Sequence, residues 1–354
     1  ITKPENVVGF VFLEELPGHF TDMEIRKVQS TGGASYIITL PKKWVKSLNI
    51  KKNDALGVIV QPNGALLITP KITGEQMEKT IRISVDGKSE SYLFRLLVGA
   101  YIRGYSTIIV ESKGKISPYI RNSVTTFTQI AIGSEVIEET LNSIIIKDLL
   151  NPAEMPFDKT IKRMHRLVTG MHEDSVAALR NEDKILVKNI VRRDDEVDRL
   201  HWLAGRQYNI ISRDVQIAQK MGVTIDESLY YFLISRIIER IGDHAVKIAK
   251  NVLHLIEKKI NDELKDAIAS AVDFSIRILN ESMNSWFKKD IDLANKNIEA
   301  STEAVPYCEE INSIALKKGE MLAIPISYIA ESIRRTAEYA GDISELVINY
   351  LIDK

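Results

Sequence analysis

Residues 239–250 read ERIGDHAVKIAK, and residues 338–349 read EYAGDISELVIN. Both place a glutamate four residues before an aspartate, put a glycine directly ahead of that aspartate, and continue at helical apolar spacing. Glu239 maps onto Glu338, Gly242 onto Gly341, Asp243 onto Asp342 and Arg236 onto Arg335, all at a shift of 99. Residues four apart on a helix share a face, with Cβ atoms roughly 5–6 Å apart. One chain therefore carries the same acidic face twice, on what the periodicity predicts to be long helices.

Working outward, the helix before each stretch offers a further pair. DDEVD supplies Asp194 and Asp198, and EASTE supplies Glu299 and Glu303, related by a shift of 105. Two like charges at 4 Å repel by about 4 kcal/mol at an effective dielectric near 20. Converging carboxylates must spread apart, take up protons or recruit a cation. Oxygen-only donor sets suit magnesium, manganese, calcium or iron. Acids at helical spacing also form ordinary solvated faces, here with Arg192, Arg193, Arg236 and Arg240 at hand.

The surrounding region, 157–354, is predicted to be all-helical. Six helices are expected, at about 157–180, 183–221, 226–257, 261–288, 290–318 and 324–352. Long helices with short connections make an antiparallel bundle. Two sets of about a hundred residues, 157–258 and 260–354, point to a duplicated three-helix unit. NPAEMP at 151–156 reads as a linker. Ahead of it, 73–150 alternates strand and helix patterns and is predicted to be a small α/β connector domain. It contains no glycine-rich phosphate loop and no cysteine–histidine metal spacing.

Residues 23–72 are strand-like, with short apolar runs bounded by Gly, Pro and Asn. PKKWVKSLNI is expected to be a short helix with Trp44, Val45 and Leu48 on its apolar side, and QPNGAL a hairpin turn. Residues 1–22 read as an upstream or cloning-derived extension and are set apart from the fold. The multidomain chain thus has a small, mostly β head, an α/β connector and an all-α body.

The net charge of −1 conceals an asymmetry. Residues 24–71 carry eight basic against two acidic residues, leaving the rest of the chain net negative. A basic head suits a polyanion. Arg26, Lys27, Lys42, Lys43 and Lys46 are the candidate phosphate contacts for DNA, with Ser30, Thr31 and Ser35 as neutral hydrogen-bonding groups. With few arginines for base edges, phosphate and shape readout are expected to dominate. The single cysteine, Cys308, excludes an intramolecular disulfide and suits a cytoplasmic setting. No apolar run is long enough for a membrane span.

The helical part resembles the PhoU family of phosphate-uptake regulators, on the motifs DDEVDRL and ERIGDHAVKIA and their repeats. That resemblance implies a six-helix fold, a regulatory role in phosphate transport rather than an enzyme activity, and metal sites holding iron, zinc or other divalent ions. It implies one site of Asp194, Asp198, Glu239 and Asp243, and a second of Glu299, Glu303, Glu338 and Asp342. The second departs from the family pattern, with two glutamates in its first pair and Pro306 close behind. No Glu-x-x-His occurs, which argues against a ferritin-like di-iron enzyme.

ITLPKKWVKSLNIKKNDALGVIVQPNGALLITPK resembles an AbrB/SpoVT swapped-hairpin domain. This implies an obligate homodimer that interleaves hairpins and binds DNA. Asn53 stands where that family usually has glycine. The combination looks like the archaeal branch of the phosphate regulators. The expected function is a DNA-binding regulator. The alternative is a scaffold that uses the head only to dimerise and docks on a phosphate transporter's ATPase subunit or a signalling protein.

Overall fold

The computed structural model describes residues 24–33, 35–60, 64–70, 78–151, 154–258, 260–317 and 320–354. The chain separates into two compact units, 1–75 and 76–354. The expected extension at 1–22, most of the QPNG turn and the 72/73 boundary lie outside the described residues.

Among its described residues the first unit holds two antiparallel strand pairs and one short helix. Strand β1 (Gln29–Thr31) pairs with β2 (Ser35–Ile37), and β3 (Gly57–Val60) pairs with β4 (Leu66–Thr69). Helix α1 (Lys42–Ser47) follows Pro41, whose missing N–H costs nothing at a helix start. Asn53 has φ +74°, the left-handed conformation expected where glycine is usual. Arg26 and Lys27 precede β1 rather than beginning it.

The second unit opens with the connector. Its strands β5 (Thr80–Ser84), β6 (Thr107–Glu111), β7 (Ser134–Glu139) and β8 (Ser143–Asp148) form one sheet in the order β5-β6-β8-β7. β5 and β6 are parallel and the remaining pairs antiparallel. Helices α2 (Glu90–Ile102) and α3 (Pro118–Ile130) are capped by Ser89 and Ser117, which accept from the N–H groups of Tyr92 and Ile120. Leu93, Leu97, Val110, Phe127 and Ile146 form a core between these helices and the sheet.

The body follows as α4 (Phe157–Asn181), α5 (Lys184–Ile211), α6 (Val215–Met221), α7 (Ile225–Lys258), α8 (Asp262–Lys288), α9 (Ile291–Ser301), α10 (Ala304–Lys317) and α11 (Glu320–Leu351). One core runs through it, from Phe157 and Met164 to Ile333 and Val347. Two of the six expected helices are interrupted. The 183–221 helix breaks at Ser212–Asp214, because the Asp214 side chain caps a new start by accepting from Gln216 and Ile217 N–H. The 290–318 helix breaks at Thr302–Glu303, just ahead of Pro306. That proline cannot donate to the preceding turn and so falls in the first turn of α10. The last helix begins earlier than expected, at Glu320, with Pro325 inside it.

The helix ends set the register of the duplication. α4 ends at Glu182 (φ +55°) and α8 at Lys289 (φ +56°), and each is followed by an aspartate that caps the next helix, Asp183 or Asp290. These landmarks are related by a shift of 107, not 105. The buried positions agree: Val187, Ile190, Asp194 and Val197 match Ala294, Asn297, Ser301 and Ala304. Between α7 and α11 the shift of 99 holds, with Ile234, Ile238 and Ile241 matching Ile333, Ala337 and Ala340. The difference lies in the first repeat's additional helix α6.

Candidate nucleic-acid head and acidic helix faces

In the head, α1 turns Lys42, Lys43 and Lys46 to solvent while Trp44 and Val45 are half-buried. Ser30, Thr31 and Ser35 sit on the first hairpin, with Ser30 opposite Tyr36 and Thr31 opposite Ser35. Lys27 is exposed, and Arg26 pairs with Glu24, which withdraws part of its charge. The strands of this unit bury little. Val28, Tyr36, Val58, Val60 and Leu66 are each at least 60 % exposed. No head residue belongs to either hydrophobic core cluster of the described residues. A strand pair with one apolar face needs a further layer to be stable.

In the body, Asp194 is buried on α5 and faces α7: a Cβ added at Gly242 would lie 3.5 Å from its Oδ1. Asp198, Glu239 and Asp243 are half-buried on the same two helices. The sequence thus places the first acidic set on facing elements. Among the described residues, however, no group of three or more His, Cys, Asp or Glu side chains is arranged to hold a metal ion.

The second acidic set is not its structural equivalent. Under the shift of 107, Ser301 and Val305 occupy the positions of Asp194 and Asp198. Glu299 and Glu303 occupy those of Arg192 and Glu196 and are exposed. Ser301 is also what Gly341 faces, with its Oγ 2.9 Å from a Cβ placed there. Glu338 is engaged by Arg334 and by Arg335 Nη1 at 3.0 Å, and the same two arginines hold Glu331. Burial together with Glu345 and Glu338 raises the Asp342 pKa above the ordinary carboxylate value. In this set two of the four acids are exposed, unlike any of the first, and a third is held by arginines.

Three histidines of the first repeat, His172, His201 and His244, are buried or nearly so. His172 is fully buried, with Nε2 3.2 Å from the carbonyl of Ile241. His201 stacks on Phe232 and places Nδ1 2.9 Å from Ser235 Oγ. Burial pushes the pKa of His172, His201 and His244 down to about 4. A lone histidine in an apolar helix pattern carries no periodic signal, so only the packing reveals it.

Connector and body meet through Arg206 of α5. It donates to the carbonyls of Tyr101 at 2.7 Å and Tyr105 at 3.0 Å, and it pairs with Asp148. Trp202 packs edge-on against Phe94, and Gly205 lies under Ile102. Arg103 Nη1 reaches Asn209 at 3.0 Å. No helix among the described residues is long and apolar enough to cross a membrane.

The family profile described as PhoU domain matches residues 161–252, and that of the antidote-toxin recognition protein MazE, a bacterial antitoxin, matches 29–76. The phosphate-specific transport system accessory protein PhoU homolog of Borreliella burgdorferi is 32% identical over 198 residues, covering 52% of this chain and 86% of that protein. Homolog 1 of Thermotoga maritima is 24% identical over 195 residues, covering 53% and 82%. The crystal structure of PhoU from Pseudomonas aeruginosa aligns with a TM-score of 0.48 at 19% identity, over 56% of this chain and 96% of that one.

Proposed function

Since this chain belongs to the PhoU family, with a MazE-matched head ahead of its helical body, we propose that it is a regulator of phosphate transport that acts on DNA as a homodimer. The observation that carries the reading is the head itself. Its strands leave their apolar side chains open, and its helix leaves three lysines open. A second copy supplies the missing layer by interleaving hairpins. Pairing doubles Lys42, Lys43 and Lys46 into a basic surface that suits a duplex backbone. Lys27, Ser30, Thr31 and Ser35 are the further candidate contacts to that duplex, together with Arg26 once its pairing with Glu24 opens.

The body supplies the regulatory input. Any cation held by the acids is assigned to Asp194, Asp198, Glu239 and Asp243, whose helices face each other.

The test is duplex binding by the full chain across a salt series. Replacing Lys42, Lys43 and Lys46 with Ala removes six phosphate contacts from a dimer, which flattens the log–log salt slope by up to about 5. An unchanged slope and affinity would overturn the DNA reading. Tight association with a phosphate transporter's ATPase subunit, without salt-dependent duplex binding, would establish the scaffold alternative instead.

A further inference from the structure

The two repeats present the same groove in different states. In the first repeat, the groove between α5 and α7 is roofed by α2 of the connector. Trp202 meets Phe94 there, Gly205 lies within reach of both Ile102 and Phe232, and Asn209 accepts from Arg103. The shifts of 107 and 99 carry this groove onto α10 and α11. Trp202 becomes Glu309, Gly205 becomes Asn312, and Phe232 becomes Glu331. These second-repeat residues line an open cleft of about 300 Å³.

We propose that this cleft is a docking groove for an amphipathic helix of a partner protein, one that carries lysine or arginine beside its apolar stripe. The first repeat demonstrates that the groove geometry accepts a helix. The residue exchanges state which helix the second would accept. Val305 lines it and is 41 % exposed, and the same two helices carry further exposed apolar side chains, Leu316 on α10 and Ile324 and Tyr328 on α11. Helix-in-groove recognition reads anchors at i, i+3 or i+4, and i+7, which such a surface provides.

Where the first repeat has Trp202 and Gly205, its middle has a carboxylate, Glu309, and an amide, Asn312, while Glu331 is paired with Arg334 and Arg335. Glu309 is exposed on the rim. Asn312 Oδ1 is buried without a hydrogen-bond partner among the described residues. Among the described residues the one cation lining it, Arg334, is already held by Glu331 and Glu338. A donor-rich cationic flank satisfies these groups, whereas an acidic one is repelled. This reading stands on the correspondence of the repeats and is independent of DNA binding by the head.

The probes are two fluorescent fifteen-residue helical peptides with the same leucine stripe, one flanked by lysines and one by glutamates. They are titrated by anisotropy against the full chain at physiological salt. The lysine peptide is expected to bind about tenfold more tightly than its counterpart. Asn312→Trp, which fills the cleft, should abolish that binding, and Glu309→Lys should remove the preference, with thermal melting confirming that both variants fold. Equal binding of the two peptides, no binding by either, or binding untouched by Asn312→Trp would overturn the proposal. So would cleft-dependent self-association in sedimentation, which identifies a second copy as the occupant. Lysine-peptide binding that appears only once Lys42, Lys43 and Lys46 are Ala would overturn it too, since the chain's own head would then be the occupant.

Discussion

Replacing Arg206 with Ala tests whether connector and body form one mechanical unit. The Arg206 and Asp148 side chains are 2% and 4% exposed, so the substitution strands a carboxylate where water cannot reach it. It also leaves the Tyr105 carbonyl without this donor, while the Tyr101 carbonyl keeps the N–H of Gly104. Breaking a buried pair from one side costs about 3–5 kcal/mol. At about 2 °C per kcal/mol for a unit of this size, the melting temperature should fall by about 6–10 °C. Burial already raises the Asp148 pKa, with Arg206 pulling it back. Without Arg206 the carboxyl shifts further up and binds its proton more readily folded than unfolded. The penalty should therefore shrink as the pH drops from 7 to 4. The double variant Arg206→Met with Asp148→Leu should recover part of the loss, because no charge is left unpaired. Calorimetry at both pH values gives these numbers, and proteolysis at the 151–156 linker reports whether the connector has come loose. A melting temperature within 2 °C of the parent at pH 7 would refute the clamp.

Gly242→Ala should stabilise the chain by up to about 1 kcal/mol, since alanine is the better helix former and the nearest atoms lie at ordinary contact, 3.4–3.5 Å. Gly341→Ala should lose that gain against Ser301 Oγ and regain it in combination with Ser301→Ala, read as denaturation midpoints. His172→Leu copies Leu279, its counterpart in the second repeat. A histidine held near 4 when folded resists protonation, so its stability contribution is lost as pH falls below about 6.5. Between pH 7 and 5 the variant should lose about 2 kcal/mol less than the parent in urea unfolding. If the chain takes up manganese, the water-relaxation signal should be removed by Asp194→Asn with Asp243→Asn and unchanged by Glu338→Gln.

Much of this architecture is legible in the order of residues. The alternation of strand and helix patterns announces the connector, Asn53 a left-handed turn of the head, and the ERIGD and EYAGD segments the duplication. The register of α9 differs from the expected one for a chemical reason. Matching acid to acid aligns Asp194 with Glu299, yet a helix is set by its start and by the side it buries. The capping aspartates Asp183 and Asp290 carried that information, in RNED and KKDI, and they align Asp194 with Ser301. The break before Pro306 was signalled by the proline. The break before Asp214 was masked by an apolar pattern that continues across it.

By itself, then, the sequence determined the order of strand-rich head, mixed α/β stretch and helical body, the repeated helical unit and the split of charge between head and body. These follow from periodicity, capping and composition, which act over a few residues. Only the tertiary structure decided which acids face a neighbouring helix, that Arg206 is sealed beneath the connector, and that one of two equivalent grooves is roofed while the other stays open. Those outcomes depend on which surfaces exclude water from one another. Residues a hundred positions apart decide that jointly, and no local pattern records it.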